Sequence, residues 1–254
     1  MLQSVKHLIN YDIQAQDGAL GHVYDYYVDN VRWTVRYMVV STGRWLPGHK
    51  VLLSPEAIVG VDSMDRTIAL DLTKDQIKRS PDVGSDLPVS KQQEEKLRSY
   101  YAWPAYWAVG FDPVLAAYTP TDADVQAAVS SPHPQSQSDH HLRSARELIG
   151  YQLKAVDGEM GHVDDLIVDL EDWQVHYMVI RTGSWMSGKQ VLIALEWVQD
   201  ISWDDHQVTV DVTQDQVKDS PVFDPHAPVN REYEVRLYDY YGRPCPWVMA
   251  ESKG

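Results

Sequence analysis

The chain has 254 residues, 44% of them hydrophobic and 23% charged. That is enough apolar material for two small cores, and it excludes a chain that is disordered throughout. A net charge of −15 opposes phosphate backbones and anionic bilayers, so neither nucleic acid nor a lipid surface is an expected partner. No apolar run, Tyr37 to Val40 included, approaches the roughly 18 residues of a spanning helix, so no membrane span is expected. No basic and apolar leader opens the sequence, and a cytoplasmic location is expected. Cys245 is the single cysteine, which excludes an internal disulfide and a cysteine-based zinc cage.

In chain order, His22 to Val28 reads as a strand rich in β-formers, entered through a tight Asp17-Gly18 turn. Trp33 to Ser41 alternates its larger apolar residues with a period near two, a second strand. Val51 to Leu53, Ile58 to Val61 and Ile68 to Leu72 are further short strands. Thr73 and Gln76 form a capping box that opens a helical turn, which Ser80-Pro81 stops. Ser90 and Gln93 form another, opening a helix that runs toward Tyr101. Residues 119–144 are polar and proline-rich and read as a flexible linker.

The same elements return at an offset of 140. Asp17 to Val23 matches Asp157 to Val163, Tyr37-Met38-Val39 matches Tyr177-Met178-Val179, and Ser80-Pro81 matches Ser220-Pro221. From Leu8 to Pro104, about two positions in five are identical, which marks duplication of one unit. Copy-two strands are expected at Val163 to Val168, Trp173 to Arg181, Val191 to Ile193, Val198 to Ile201 and Val208 to Val212, and Asn230 can cap the second long helix. Five or six short strands in each copy leave few edges if they form a small closed or nearly closed barrel. The acidity is uneven: residues 1–104 carry −1, 105–144 carry −3, and 145–254 carry −11.

Gly161-His162-Val163-Asp164-Asp165-Leu166-Ile167-Val168-Asp169, followed by Trp173 and Tyr177-Met178-Val179-Ile180, resembles the PRC-barrel family, as does Thr42 to Pro55. That family is named for the cytoplasmic domain of the photosynthetic reaction-centre H subunit. It also includes a domain of a factor that matures the small ribosomal subunit. The resemblance covers about residues 8–81 and 148–221. It implies a barrel used in bacteria as a docking or assembly surface, with no catalytic residues to carry over. Copy two has Ala194-Leu195 where copy one has Ser54-Pro55.

The fold class expected is mainly β, two small PRC-like barrels in tandem, each followed by short helices. The boundaries are a first barrel at 1–82, an aromatic helical extension at 83–118, the linker at 119–144, a second barrel at 145–222 and a C-terminal helical extension at 223–254. An intramolecular pseudo-dimer packed through the aromatic extensions is expected, because a self-complementary interface survives fusion.

Candidate chemistry is sparse. His22 and His162 follow glycine at matching places and read as turn-proximal fold residues. Asp25, Asp29 and Glu56 recur as Asp165, Asp169 and Glu196, but no calcium-loop pattern frames them. His133, His140 and His141 sit beside Asp139 without fixed geometry. No nucleophile elbow, phosphate loop or zinc-helix motif is present, so no enzyme, no cofactor and no metal is expected. The aromatics are more informative, with 9 Trp and 15 Tyr against 2 Phe. Tyr100, Tyr101, Trp103, Tyr106 and Trp107 form the densest patch, a partner surface or a cap on the chain's own barrels. Trp45 and Trp185, in Gly-bounded loops, would line a barrel mouth or meet the sister barrel. The expected role is a non-catalytic protein-docking or assembly module. A small-molecule or metal-ion sensor and an enzyme of unknown type are the alternatives.

Overall fold

A computed structural model gives the fold and describes residues 1–43, 48–81, 89–108, 141–183 and 188–246. After a short strand β1 (Leu2–Ser4) and the single turn α1 (Val5–Leu8), the first copy runs through β2 (Asp12–Ala15), β3 (Gly18–Asp29), β4 (Thr34–Ser41), β5 (Lys50–Leu53), β6 (Ile58–Asp62) and β7 (Thr67–Leu70). Two helices follow, α2 (Lys74–Lys78) and α3 (Lys91–Tyr101). The second copy repeats the series as β8 (Leu142–Ser144), α4 (Ala145–Leu148), β9 (Gln152–Ala155), β10 (Gly158–Asp169), β11 (Val175–Thr182), β12 (Gln190–Ala194), β13 (Val198–Ser202), β14 (Gln207–Val210), α5 (Gln214–Asp219) and α6 (Arg231–Tyr241).

Each copy builds one sheet, with strand order β5-β4-β3-β2-β7-β6 in the first and β12-β11-β10-β9-β14-β13 in the second. Among the described residues only β2–β7 and β9–β14 pair in parallel. The 12-residue strands β3 and β10 carry two register shifts each against β4 and β11. Such bulges bend a strand, and the bend lets one half of β3 serve β2 while the other serves β4. The end strands β5 and β6 do not pair with each other among the described residues, nor do β12 and β13. Each copy is therefore a curved sheet, and among the described residues the barrel, expected closed or nearly closed, is not closed.

The glycines of the repeated Gly-x-x-Gly-His segment have a steric reason. Gly18 and Gly158 take φ of 127° and 154° at the Asp-Gly turns. A Cβ on Gly21 would lie 1.9 Å from the Ser41 carbonyl oxygen, and one on Gly161 would lie 2.2 Å from that of Arg181. The close backbone approach that β3–β4 and β10–β11 require is open to glycine alone.

The copies are not separate bodies. β1 pairs with β10 of the other copy, Gln3 opposite Val168. Reciprocally, β8 pairs with β3, Arg143 opposite Val28. Both exchanges obey the same offset of 140, which is the signature of a pseudo-two-fold relation. α1 then packs on β10, and α4 on β3. Near the axis, Val35 N donates to the Trp173 carbonyl at 2.8 Å and Val175 N to the Trp33 carbonyl at 2.7 Å. One apolar core runs through both copies, from Val5, Leu8 and Met38 to Leu148, Val163 and Met178.

Three sequence expectations change here. Trp33 and Trp173 precede their strands in left-handed backbone, φ 54° and 59°, because each closes a turn on Asp29 or Asp169 and turns its carbonyl to the other copy. Leu142–Ser144, within the stretch read as linker, is a strand, while 119–140 lies outside the described residues. Among the described residues the copies meet mainly through exchanged strands and the Trp33–Val35 and Trp173–Val175 segments, and the first aromatic extension joins copy two only at the start of β8, where Tyr106 meets His141. α3 lies over Tyr27, Tyr37, Val39 and Leu52 on the outer face of its own sheet. An 11-residue helix with a single apolar stripe is already used up by that face.

Candidate functional site

The recurring acids gather at the exchange. Asp25 is 5% exposed, and its carboxylate accepts from Ser144 Oγ at 2.5 Å, Arg146 N at 3.1 Å and Tyr26 N at 2.7 Å. Asp165 repeats this with Ser4 Oγ, Lys6 N at 3.0 Å and Leu166 N at 2.7 Å. The serines are also the N-caps of α1 and α4, accepting from His7 N and Glu147 N at 3.0 Å. One buried carboxylate therefore ties the end of a donated strand to the start of its helix. The other two pairs serve turns and helix contacts. Asp29 accepts from Val31 N at 2.9 Å and from Arg36 Nη2 at 3.1 Å, and Asp169 binds the Met1 amino group and Glu171 N. Glu56 binds Arg98 Nη2 at 2.6 Å. Among the described residues no group of three or more metal-ligating side chains converges.

Burial pushes the Asp25 and Asp165 carboxyls above their ordinary value of 3.8, against the pull of the serine and backbone donors. The native state therefore binds these two protons more tightly than the unfolded chain does. The stability they contribute is full below pH 3.8 and is lost as pH rises through the raised native values. Relative to an Asp25→Asn/Asp165→Asn double variant, the wild type is expected to gain stability as pH falls from 7 toward 4. Urea midpoints of both proteins at half-unit pH steps check this, and a wild type that loses ground over that window contradicts it.

A second buried polar group lies under α3. Glu94, Leu97, Arg98 and Tyr101 share one helix face at the spacing i, i+3, i+4, i+7. Glu94 is 0% exposed and Arg98 3%. Tyr106 Oη donates to Glu94 Oε2 at 2.6 Å and sits 2.5 Å from His141 Nε2, which is itself 3.3 Å from Glu94 Oε1. Arg98 Nε donates to the Pro104 carbonyl at 2.7 Å, and Arg36 stacks over the Tyr106 ring at 3.9 Å. Burial holds the Glu94 carboxyl above the usual carboxylate range, although Tyr106, His141, Tyr37 and Arg98 oppose it. In copy two the counterpart Glu234 accepts from Tyr177 Oη at 2.7 Å, and Tyr238 stands where Arg98 does. The network latches the extension and the start of β8 onto the first sheet. Its sequence signal was available: a glutamate and an arginine four apart on the apolar face of a short helix.

The aromatic patch is mostly part of that latch. Tyr101 stacks on Trp103 at 4.2 Å and 16°. Tyr106 is buried, and Trp107 is half-buried near Lys91 and Arg98. Tyr100 is the exposed member, its hydroxyl donating to the Gln76 carbonyl at 2.8 Å. Tyr240 repeats that bond to Gln216 at 2.7 Å, while Tyr238 and Tyr241 pack on Trp197. Trp45, Trp185, His133 and His140 lie outside the described residues. His22 and His162 are half-buried strand residues, opposite Ser41 and Arg181.

A duplicated, mainly β, two-sheet architecture with reciprocal strand exchange is the class that these features define. Residues 140–217 match the family model of the PRC-barrel domain, and the chain carries a PRC-barrel domain there. The matched segment begins at β8, so the domain as a stretch of sequence includes a strand that pairs with the other sheet. The first copy repeats its strand order and its registers. No curated protein matches the chain. Among the described residues no helix is long and apolar enough to cross a membrane.

Proposed function

We propose that this chain is a non-catalytic docking or assembly module of the bacterial cytoplasm whose protein partner presents a basic surface. The observation that carries the reading is the contrast between the two kinds of carboxylate. The recurring Asp25 and Asp165 are consumed as acceptors inside the exchange, whereas acids that copy two has and copy one lacks, including Glu159, Glu171, Asp172, Asp200 and Asp204, are exposed. Exposed like charges on a rigid sheet speed and select encounters with a cationic surface more than they add affinity. The narrower form of the reading, a place beside a reaction-centre H-subunit-type assembly, rests on the resemblance alone.

Affinity capture with the full chain from its native host, at about 50 and 300 mM salt, tests the reading. A specific protein retained at low salt, and lost with an Asp200→Asn/Asp204→Asn/Asp205→Asn variant, supports it. A partner retained equally by variant and wild type at both salt levels refutes the acidic face. A thermal shift of several degrees with a metal ion or metabolite at micromolar concentration would favour a sensor instead.

A further inference from the structure

The two copies place charge differently on the strand that ends each sheet. β6 ends the first sheet and pairs only with β7 among the described residues. Its core reads Ile58-Val59-Gly60-Val61, without a charge, and Val59 is 67% exposed. The counterpart β13 reads Val198-Gln199-Asp200-Ile201, with Asp200 exposed at the position of Gly60. Both strands carry the same bulge, after Ile58 and after Val198, so the bulge does not set them apart. Charge on an edge opposes pairing there; β13 carries its one charge, Asp200, in mid-strand, whereas β6 carries its one charge, Asp62, at the strand end and leaves Gly60 and Val61 neutral in regular register.

That edge borders a groove of about 540 Å³ at the seam between the copies. Ile58, Val59, Gly60 and Val61 line one side, and Leu170 to Trp173 of the second copy line another. The two guanidiniums on the groove are already bound to carboxylates, Arg36 to Asp29 and Arg98 to Glu56. Glu171 and Asp172 are the exposed carboxylates of the second-copy wall, with Glu171 Oε1 3.5 Å from the Met1 amino group. Across the pseudo-two-fold, Val31 and Arg32 replace them, and Arg32 Nη1 binds the Tyr106 carbonyl at 3.0 Å. Among the described residues, a strand edge neutral from Ile58 to Val61 thus borders an acidic wall in the first copy's groove and not in its pseudo-symmetric counterpart.

We propose that the outer edge of β6 is a β-augmentation site that takes an extended, basic segment of a protein partner. Main-chain hydrogen bonds to Gly60–Asp62 would supply affinity, an apolar side chain would cover Val59, and a Lys or Arg would reach Glu171 and Asp172. This rests on the docking reading and names the chemistry of the partner.

The test uses the full chain and fluorescein-labelled octapeptides, followed by anisotropy and amide chemical shifts. An alternating Lys-Val peptide is expected to bind at least tenfold tighter than an alternating Glu-Val one, with shifts centred on Gly60 to Asp62. N-methylation of alternate peptide amides, and separately Val59→Lys, should each weaken binding about tenfold. Equal binding of the methylated peptide, shifts centred elsewhere, or no saturable binding would overturn the proposal. If none of these peptide results holds but capture still depends on Asp200, Asp204 and Asp205, the edge site fails and the docking reading stands. If the peptide results hold but capture is blind to both surfaces, the site stands and the docking reading fails.

Discussion

Gly161→Ala is expected to destabilise the protein by about 3 kcal/mol or more, lowering the unfolding midpoint by about 10 °C. Two effects add. Gly161 sits at φ 151°, where a non-glycine residue costs roughly 1–3 kcal/mol. Its Cβ would also fall 2.2 Å from the Arg181 carbonyl oxygen, a backbone atom of the neighbouring strand that cannot move without parting β10 from β11. Gly21→Ala meets the Ser41 carbonyl at 1.9 Å and should behave alike. Gly60→Ala, whose Cβ would have nothing within 4 Å, is the control and should change stability by less than about 0.5 kcal/mol. Denaturant unfolding of the three variants checks the ranking. A Gly161→Ala protein as stable as Gly60→Ala would contradict the close strand approach.

Asp165→Ala is expected to cost about 3–5 kcal/mol, and Asp25→Ala a similar amount. Each removes the acceptor of a serine hydroxyl and two backbone N–H groups, and a buried donor left unpaired costs about 1–3 kcal/mol. The loss is not local. Asp165 lies in copy two and holds the chain end that opens copy one, while a single apolar core joins the copies. Amide protection should therefore fall in β3 and β10 together, within one cooperative transition. Loss confined to β10 in Asp165→Ala would mean that the copies are stabilised separately.

The pattern of the chain made much of this legible. Alternation from Trp33 to Ser41 and its copy placed β4 and β11, and the Thr73–Gln76, Ser90–Gln93 and Thr213–Gln216 boxes placed three helix starts with both capping bonds formed. The offset of 140 announced two similar sheets. The exchange was not legible, for physical reasons. β1 and β8 are three residues long, too short for a period, and their partners lie more than a hundred residues away. Strand periodicity reports which face of a strand is buried and is silent on which edge it meets. The aromatic run was ambiguous for a similar reason: Tyr101 and Trp103 pack with the same chemistry against the chain's own sheet as against a partner. The burial of Asp25 and Asp165 was not legible, because nothing local marks the serine that binds each of them, 119 and 161 residues away.

Reciprocal exchange is tested most directly by two disulfide pairs in a Cys245→Ala background. Gln3→Cys with Val168→Cys places the thiols at directly opposed positions of an antiparallel pair, about 4.5–5.5 Å apart at Cβ. Gln3→Cys with Val28→Cys would be opposed only if β1 stayed in its own copy, as the relation of Arg143 to Val28 shows. On mild oxidation, the first pair should close within a monomer on a non-reducing gel, and the second should stay reduced. Closure of the Gln3–Val28 pair, with the Gln3–Val168 pair left open, would contradict the exchange on which this account stands.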